Sequence, residues 1–372
     1  MNHANLYESP KAGGRQLRTM ATLLPYLWPA GNWPMRRRVV FAFALMIASR
    51  IANVYVPLFY KDAIDMLTGE TNLVIALPLG LLFAYGATRV LAVGFAELRE
   101  AVFARVAQRA VRAAALRTFE HLHALGLRFH LDRQTGGLSR VIERGVKGIE
   151  FVLAFTMFNI LPTLLEILLV CAILWNLFDV WYALVTFVTI VSYIGFTLVI
   201  TEWRIAHRRE MNNRDTEANT KAIDSLLNYE TVKYFGNEAH ESARYDSAMR
   251  GYEEAAVRNT ISLSALNVGQ ATIIAAGLVL VTLMAGNDVV AGTMTIGEFV
   301  LVNAYLVQLY LPLNFLGFVY RQIRQSLTDM EVMFNVLDIP PEITDAPDAP
   351  PLRVTGGEVV FEHVDFGYDE RR

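Results

Sequence analysis

The sequence predicts an all-α membrane protein of six spans whose helices continue as long extensions into the cytoplasm. Three observations carry that expectation. The 372 residues are 54% hydrophobic with a mean hydropathy of +0.33, too apolar for an ordinary soluble domain. A helix needs about 20 mostly apolar residues to cross a bilayer. Six such runs lie near 39–67, 74–98, 151–177, 181–202, 268–286 and 296–320. Finally, the connections alternate in charge. TGETN, FDV and GNDVVAGTMT follow the first, third and fifth spans and hold Glu70, Asp179 and Asp288 with no Lys or Arg. The second and fourth spans run instead into long stretches crowded with Arg and Lys. The positive-inside rule then puts both termini and the long stretches in the cytoplasm.

Taken in order, residues 1–35 read as a leader and an interfacial elbow. No basic segment, apolar core and small-residue cleavage site occur in the order of a secretory signal. Arg15 and Arg18 against Glu8 leave a mitochondrial leader open. Trp28 and Trp33, set among Pro and Gly, suit the headgroup level ahead of Arg36, Arg37 and Arg38. Residues 36–338 form the membrane domain. Within it, 99–150 and 203–267 keep helical periodicity with few breakers. Spans two to five therefore extend as paired helical hairpins, with turns near Leu127–Gly137 and Tyr229–Asn237. The last helix runs on to Leu337. Residues 339–355 are a proline-rich linker that cannot be helical. Residues 356–372 change period: Val359, Phe361, Val364 and Phe366 are strand-like positions that mark the start of a soluble domain.

The fourth span carries the most informative stripe. Tyr193, Thr197, Thr201, Arg204 and Arg208 follow one helix face. The bland reading is that the two arginines snorkel to the inner headgroups; a snorkelling residue, however, needs no polar trail above it. On the last span Asn314, Gly317 and Arg321 share a face at i, i+3 and i+7, and Asn267 and Gln270 stand three apart at the start of the fifth. Such amides pack helices as readily as they bind ligands. Three arginines per chain would give six in a dimer, a group that favours an anion and suits bidentate carboxylate recognition. His121 and His123, two apart, face different sides of a helix, and with His130 they read as packing or solvated groups rather than a metal site. Cys171 reads as a small apolar residue. No GxxxxGK[ST] phosphate loop occurs, and the charge-rich stretch 202–258 reads as a solvated face with no nucleic-acid role.

Six spans, two cytoplasmic hairpins, a proline-rich linker and then GEVVFEHVDFGYD together resemble an ATP-binding-cassette half-exporter, with the type IV (exporter-type) membrane fold. LRTFEHLHALGLRFHLDRQTGGLSRVIERGVKGIEF (116–151) and DSLLNYETVKYFGNE (224–238) are similar to one subgroup, the mitochondrial ATM-type and heavy-metal-tolerance exporters and their bacterial relatives. The resemblance implies a homodimer embedded in lipid, with twelve spans around one cavity and a nucleotide-binding domain on each chain. ATP with Mg would drive that cavity from inward to outward facing. Tyr368 would be the aromatic that stacks on adenine. The hydrolytic motifs would lie beyond Arg372, so the chain as it stands should not hydrolyse ATP. The subgroup handles glutathione-type compounds: oxidised glutathione, glutathione–metal adducts or a sulfur-containing precursor for iron–sulfur assembly. Its pocket matches Tyr193, Arg204, Arg208, Asn267, Gln270, Gly317 and Arg321. Oxidised glutathione carries a charge of about −2 at neutral pH, as an anion site would require. The expected location is a bacterial inner membrane, ahead of the mitochondrial inner membrane. A lipid or drug exporter, and a non-transporting membrane scaffold, are the alternatives.

Overall fold

The structure is a computed structural model that describes residues 22–28, 31–68, 78–131, 135–313, 316–344, 346, 348–351, 353–354 and 356–365. In chain order its helices are α1 (Leu24–Leu27), α2 (Trp33–Thr68), α3 (Leu79–Ala124), α4 (Leu127–Leu131) and α5 (Thr135–Phe155). A π-turn (Thr156–Ile160) leads into α6 (Leu161–Leu177) and α7 (Val180–Leu227). The last four are α8 (Tyr229–Tyr234), α9 (Glu238–Val290), α10 (Ile296–Leu313) and α11 (Leu316–Leu337). Six helical stretches are long and apolar enough to cross a membrane: Trp33–Thr68, Leu79–Ala124, Leu138–Leu177, Val180–Leu227, Glu238–Val290 and Ile296–Leu337. The multi-pass, all-α architecture is thus as the sequence predicts. At 1.5 Å per residue, the 53 residues of α9 reach about 80 Å, against a hydrocarbon core of about 30 Å.

Local chemistry explains where these helices start and stop. Thr295 and Glu298 form a capping box at the head of α10: the Glu298 amide donates to Thr295 Oγ1 at 3.1 Å, and the Thr295 amide donates to Glu298 Oε2 at 3.0 Å. In the second cytoplasmic turn, Gly236 adopts φ +62°. Its amide donates to the Lys233 carbonyl at 3.3 Å, and the Asn237 amide to the Val232 carbonyl at 3.0 Å. That pair of bonds closes α8 as a Schellman motif, for which a residue without Cβ is suited.

Three details differ from the sequence reading. The third span is not one regular helix, because a π-turn precedes Pro162. Proline has no N–H to give the carbonyl four residues back, and the wider turn accommodates its ring. Both expected turns are partly helical, holding α4 and α8. Among the described residues there is no strand, and Val359, Phe361 and Val364 are exposed; Phe366 lies outside the described residues. A strand takes its hydrogen bonds from a neighbouring segment, and among the described residues none is paired with this one.

Two compact units can be distinguished: residues 1–42, 100–157 and 322–372, and residues 43–99 and 158–321. In the first, Leu122, Leu125 and Val336 form a small buried cluster joined by Phe129, Leu138, Val141, Ile142 and Ile339. The His121 ring bonds the Ile339 carbonyl at 2.9 Å, tying down the start of the linker. His123 and His130 likewise bond the Phe119 and Leu122 carbonyls. In the second unit, α7 and α9 pack along their length. A Cβ on Gly277 would collide with the Thr189 side chain, so the two backbones approach closely there. Tyr182, Tyr193, Val281, Tyr305 and Leu309 belong to the core of this unit, and Cys171 packs against it.

Candidate substrate site on the fourth, fifth and sixth spans

On α7, the residues facing the protein interior include Thr186, Thr189, Ile190, Tyr193, Thr197, Thr201 and Arg204. They recur every three or four positions, the helical period expected for one face. Three polar groups of this stripe, those of Tyr193, Thr197 and Arg204, are engaged by α9 or α10. The Tyr193 hydroxyl, fully buried, donates to the Leu313 carbonyl at 3.1 Å. Gln270 Nε2 donates to Thr197 Oγ1 at 2.8 Å. Arg204 Nε donates to Ser262 Oγ at 3.2 Å, and that hydroxyl donates to the Asn259 carbonyl at 2.6 Å.

Gly317 of α11 faces the same stripe. A Cβ built on it would stand 3.4 Å from Thr201 Oγ1, 3.7 Å from Thr197 Cγ2 and 4.0 Å from Leu266 Cδ2. The Thr201 hydroxyl is buried and has no hydrogen-bond partner among the described residues. The contacts therefore advance together along the fourth and sixth spans: Tyr193 with Leu313, Thr197 and Thr201 with Gly317, and Arg204 near Arg321. The Arg321 and Arg208 charges both act on Arg204, and that of Arg208 acts on Arg321. Three cations thus gather at one end of the stripe. Beside them, the Tyr320 hydroxyl donates to Glu202 at 2.6 Å, so one carboxylate borders the group.

The sequence-selected residues divide into three sets. Tyr193, Arg204, Gln270 and Gly317 are buried together, with Arg321 half-buried at the edge of the group. Arg208 and Asn267 are exposed; Asn267 turns away from the α9 face that carries Ser262, Leu266 and Gln270. Asn314 and Tyr368 lie outside the described residues. Sequence reasoning missed Ser262, the partner of Arg204, because a lone Ser on a long helix gives no signal.

It also missed a second polar group deeper in the bundle. Glu166 of α6 is 3% exposed within the run LLEILL. Its Oε2 lies 2.6 Å from Arg50 Nη1, its Oε1 accepts from Asn53 Nδ2 at 2.8 Å, and Oε1 also accepts from Gln308 Nε2. An ionisable residue inside an apolar span is costly unless paired. The isolated Glu was therefore a legible signal.

The family model for the ABC transporter transmembrane region matches residues 39–313. The chain is 46% identical over 354 residues to the iron-sulfur clusters transporter atm1, mitochondrial, of Neurospora crassa, covering 94% of this chain and 49% of that one. It is 42% identical over 380 residues to the human iron-sulfur clusters transporter ABCB7, mitochondrial, covering 98% and 50% respectively. The chain thus spans about half the length of the curated relatives it matches. Among solved structures, a bacterial Atm1-family ABC exporter with ATP bound superposes with a TM-score of 0.65 at 43% identity, over 91% of this chain and 59% of that one. With its six long apolar helices and a family match across most of its length, the chain belongs to the ABC transporter transmembrane region family, and its similarity within that family is to Atm1 and ABCB7 exporters.

Proposed function

We propose that this chain is the membrane half of an ATP-driven exporter, assembled as a homodimer, that moves glutathione-type anions out of the cytoplasm by alternating access. The observation that carries the reading is the gathering of Arg204, Arg208 and Arg321 beside the polar stripe of α7. Like charges held together repel, so an anionic guest relieves them while a neutral lipid does not. Arginine's planar fork matches a carboxylate. Gly317 lets a peptide backbone come close, and the Thr201 hydroxyl is available to hydrogen-bond it. The relatives that are iron–sulfur clusters transporters suggest iron–sulfur metabolism as the physiological context. Oxidised glutathione, a glutathione–metal adduct and a sulfur-bearing precursor all share the required carboxylates, and heavy-metal detoxification would use the same site. The motor would be a nucleotide-binding domain holding ATP and Mg. The membrane would be a bacterial inner membrane, with a mitochondrial inner membrane as the second setting and both termini in the cytoplasm.

The test is a calorimetric titration of oxidised glutathione into the purified protein, beside Arg208→Ala and Arg204→Ala/Arg208→Ala. A hydrogen bond to a charged group is worth about 1.5–3 kcal/mol, so the double variant should bind at least about 100-fold more weakly. Arg208 is exposed, so its single replacement leaves packing intact and should cost about tenfold. Equal binding by all three proteins would return these arginines to headgroup anchoring.

A further inference from the structure

The fourth and fifth spans meet in a fixed antiparallel register. Thr189 packs against Gly277, Thr197 accepts from Gln270 at 2.8 Å, and Arg204 donates to Ser262 at 3.2 Å. Successive contacts are seven or eight residues apart on either helix, about 10–12 Å along the axis. Beyond Arg204 the pairing continues, where Arg258 donates to Glu210 at 2.9 Å. Ser262 therefore stands opposite Arg204 on a frame secured to either side of it. Ser262 is 2% exposed, and its hydroxyl proton is committed to the Asn259 carbonyl at 2.6 Å. That oxygen is left with lone pairs alone, so toward any other group it can only accept. It accepts from Arg204 Nε, and among the described residues the guanidinium makes no other hydrogen bond.

A guanidinium carries one N–H on Nε and two on each Nη. It can grip a carboxylate from the side, with Nε and one Nη, or from the end, with both Nη groups. We infer that Ser262 is a positioning residue of the substrate site: by taking the Nε–H of Arg204 it closes the side grip and leaves the two Nη groups to hold a carboxylate of the guest. This rests on the proposed role of Arg204 in binding an anion. Ser262 does not itself touch the guest, because its only proton is already given to the backbone. Hydroxyls in helices commonly bond back to their own turn. Thr260 and Thr272 of the same helix do only that, at 3.0 and 2.9 Å, on its exposed side. Ser262 makes the same back-bond while buried against a cation, and the back-bond fixes its oxygen as an acceptor. A long side chain held before the guest arrives has less freedom to lose on binding. Arg208, one turn further on, is exposed and has no hydrogen bond among the described residues, so the aimed cation of the pair is Arg204.

The test is a double-mutant cycle on Ser262 and Arg204 in the whole protein in lipid nanodiscs. Oxidised glutathione is titrated by calorimetry into the parent, Ser262→Ala, Arg204→Ala and the double variant. Without ligand, solvent exchange of the Arg204 Nε–H is followed by nuclear magnetic resonance on protein carrying isotope-labelled arginine, the signal being assigned by its loss in Arg204→Ala. Ser262→Ala should weaken binding about tenfold and speed that exchange about tenfold, the loss expected for one bond to a charged group. In the Arg204→Ala background the same change should alter affinity by less than about twofold, since no guanidinium is left to aim. Ligand added to the parent should leave the Nε–H exchange within about twofold, because Ser262 keeps that proton while the Nη groups take the carboxylate. A serine that serves only packing would weaken binding equally in both backgrounds, and that result would overturn the inference. Unchanged Nε–H exchange in Ser262→Ala would overturn it as well, and so would release of the Nε–H from Ser262 when ligand binds. If the parent binds no oxidised glutathione while the exchange responds to Ser262→Ala, the reading of the ligand fails and the anchor on Arg204 stands.

Discussion

Replacing Glu166 by Leu should cost the protein more than replacing Glu166 and Arg50 together by Leu. Glu166 and Arg50 are 4% and 22% exposed at their side chains and 2.6 Å apart. Three effects compete. An exposed ion pair is worth about 0–1 kcal/mol, which would make either change nearly silent. Hydrogen bonds between membrane helices average about 0.6 kcal/mol and reach about 1.7, so losing the contacts of Asn53 and Gln308 to the carboxylate amounts to roughly 1–3 kcal/mol. Breaking a buried pair by removing one partner costs about 3–5 kcal/mol, because the other charge stays behind, and an arginine at a helix centre costs about 2.5–3.5 kcal/mol by insertion scales. The burial of this pair makes the last effect the largest. The expected loss for Glu166→Leu is about 3–4 kcal/mol, and the double change should recover at least about 2 of these. The assay is reversible unfolding by sodium dodecyl sulfate in mixed micelles, followed by tryptophan fluorescence. A double variant no more stable than Glu166→Leu would refute the reasoning, since it would mean that the stranded arginine carries no penalty.

Two further outcomes follow from the geometry. Gly317→Ala should preserve binding of oxidised glutathione within about threefold, because the added carbon makes only ordinary contacts at 3.4–4.0 Å with Thr201, Thr197 and Leu266. Gly317→Leu should abolish the calorimetric signal by filling the approach. Gly236→Val should cost about 1–2 kcal/mol locally, because φ +62° is strained for a branched residue. Proteolysis within 229–238 should rise while unfolding of the spans is unchanged.

The helices were legible because their two signals are local and recur along the chain: apolar length in six spans and charge asymmetry in the five connections between them. The α7 stripe was legible for the same reason: Tyr193, Thr197, Thr201 and Arg204 keep the helical period, and all four prove buried on one face. Partner choice was not legible. Asn267 and Gln270 are both amides on α9, yet only Gln270 turns toward Thr197, and that depends on the direction from which α7 approaches. Asp288 entered the sequence reading only as an acidic residue in an outer connection, whereas the fold gives it the Tyr182 hydroxyl at 2.6 Å. Glu166 was visible as an anomaly in an apolar run, but Arg50, Asn53 and Gln308 lie more than one hundred residues away from it. The π-turn ahead of Pro162 was foreshadowed by the proline itself.

The three arginines gathered at one end of the polar stripe should select the ligand by its carboxylates. The most direct measurement is a paired calorimetric titration of oxidised glutathione and its tetraethyl ester into the same protein preparation. Esterification removes all four negative charges while keeping the peptide frame and the disulfide, leaving a net charge of about +2. The acid should bind, more weakly as ionic strength rises, and the ester should show no measurable binding. Equal or tighter binding of the ester would contradict selection by charge, because the site would then be reading the apolar bulk or the peptide backbone of the guest.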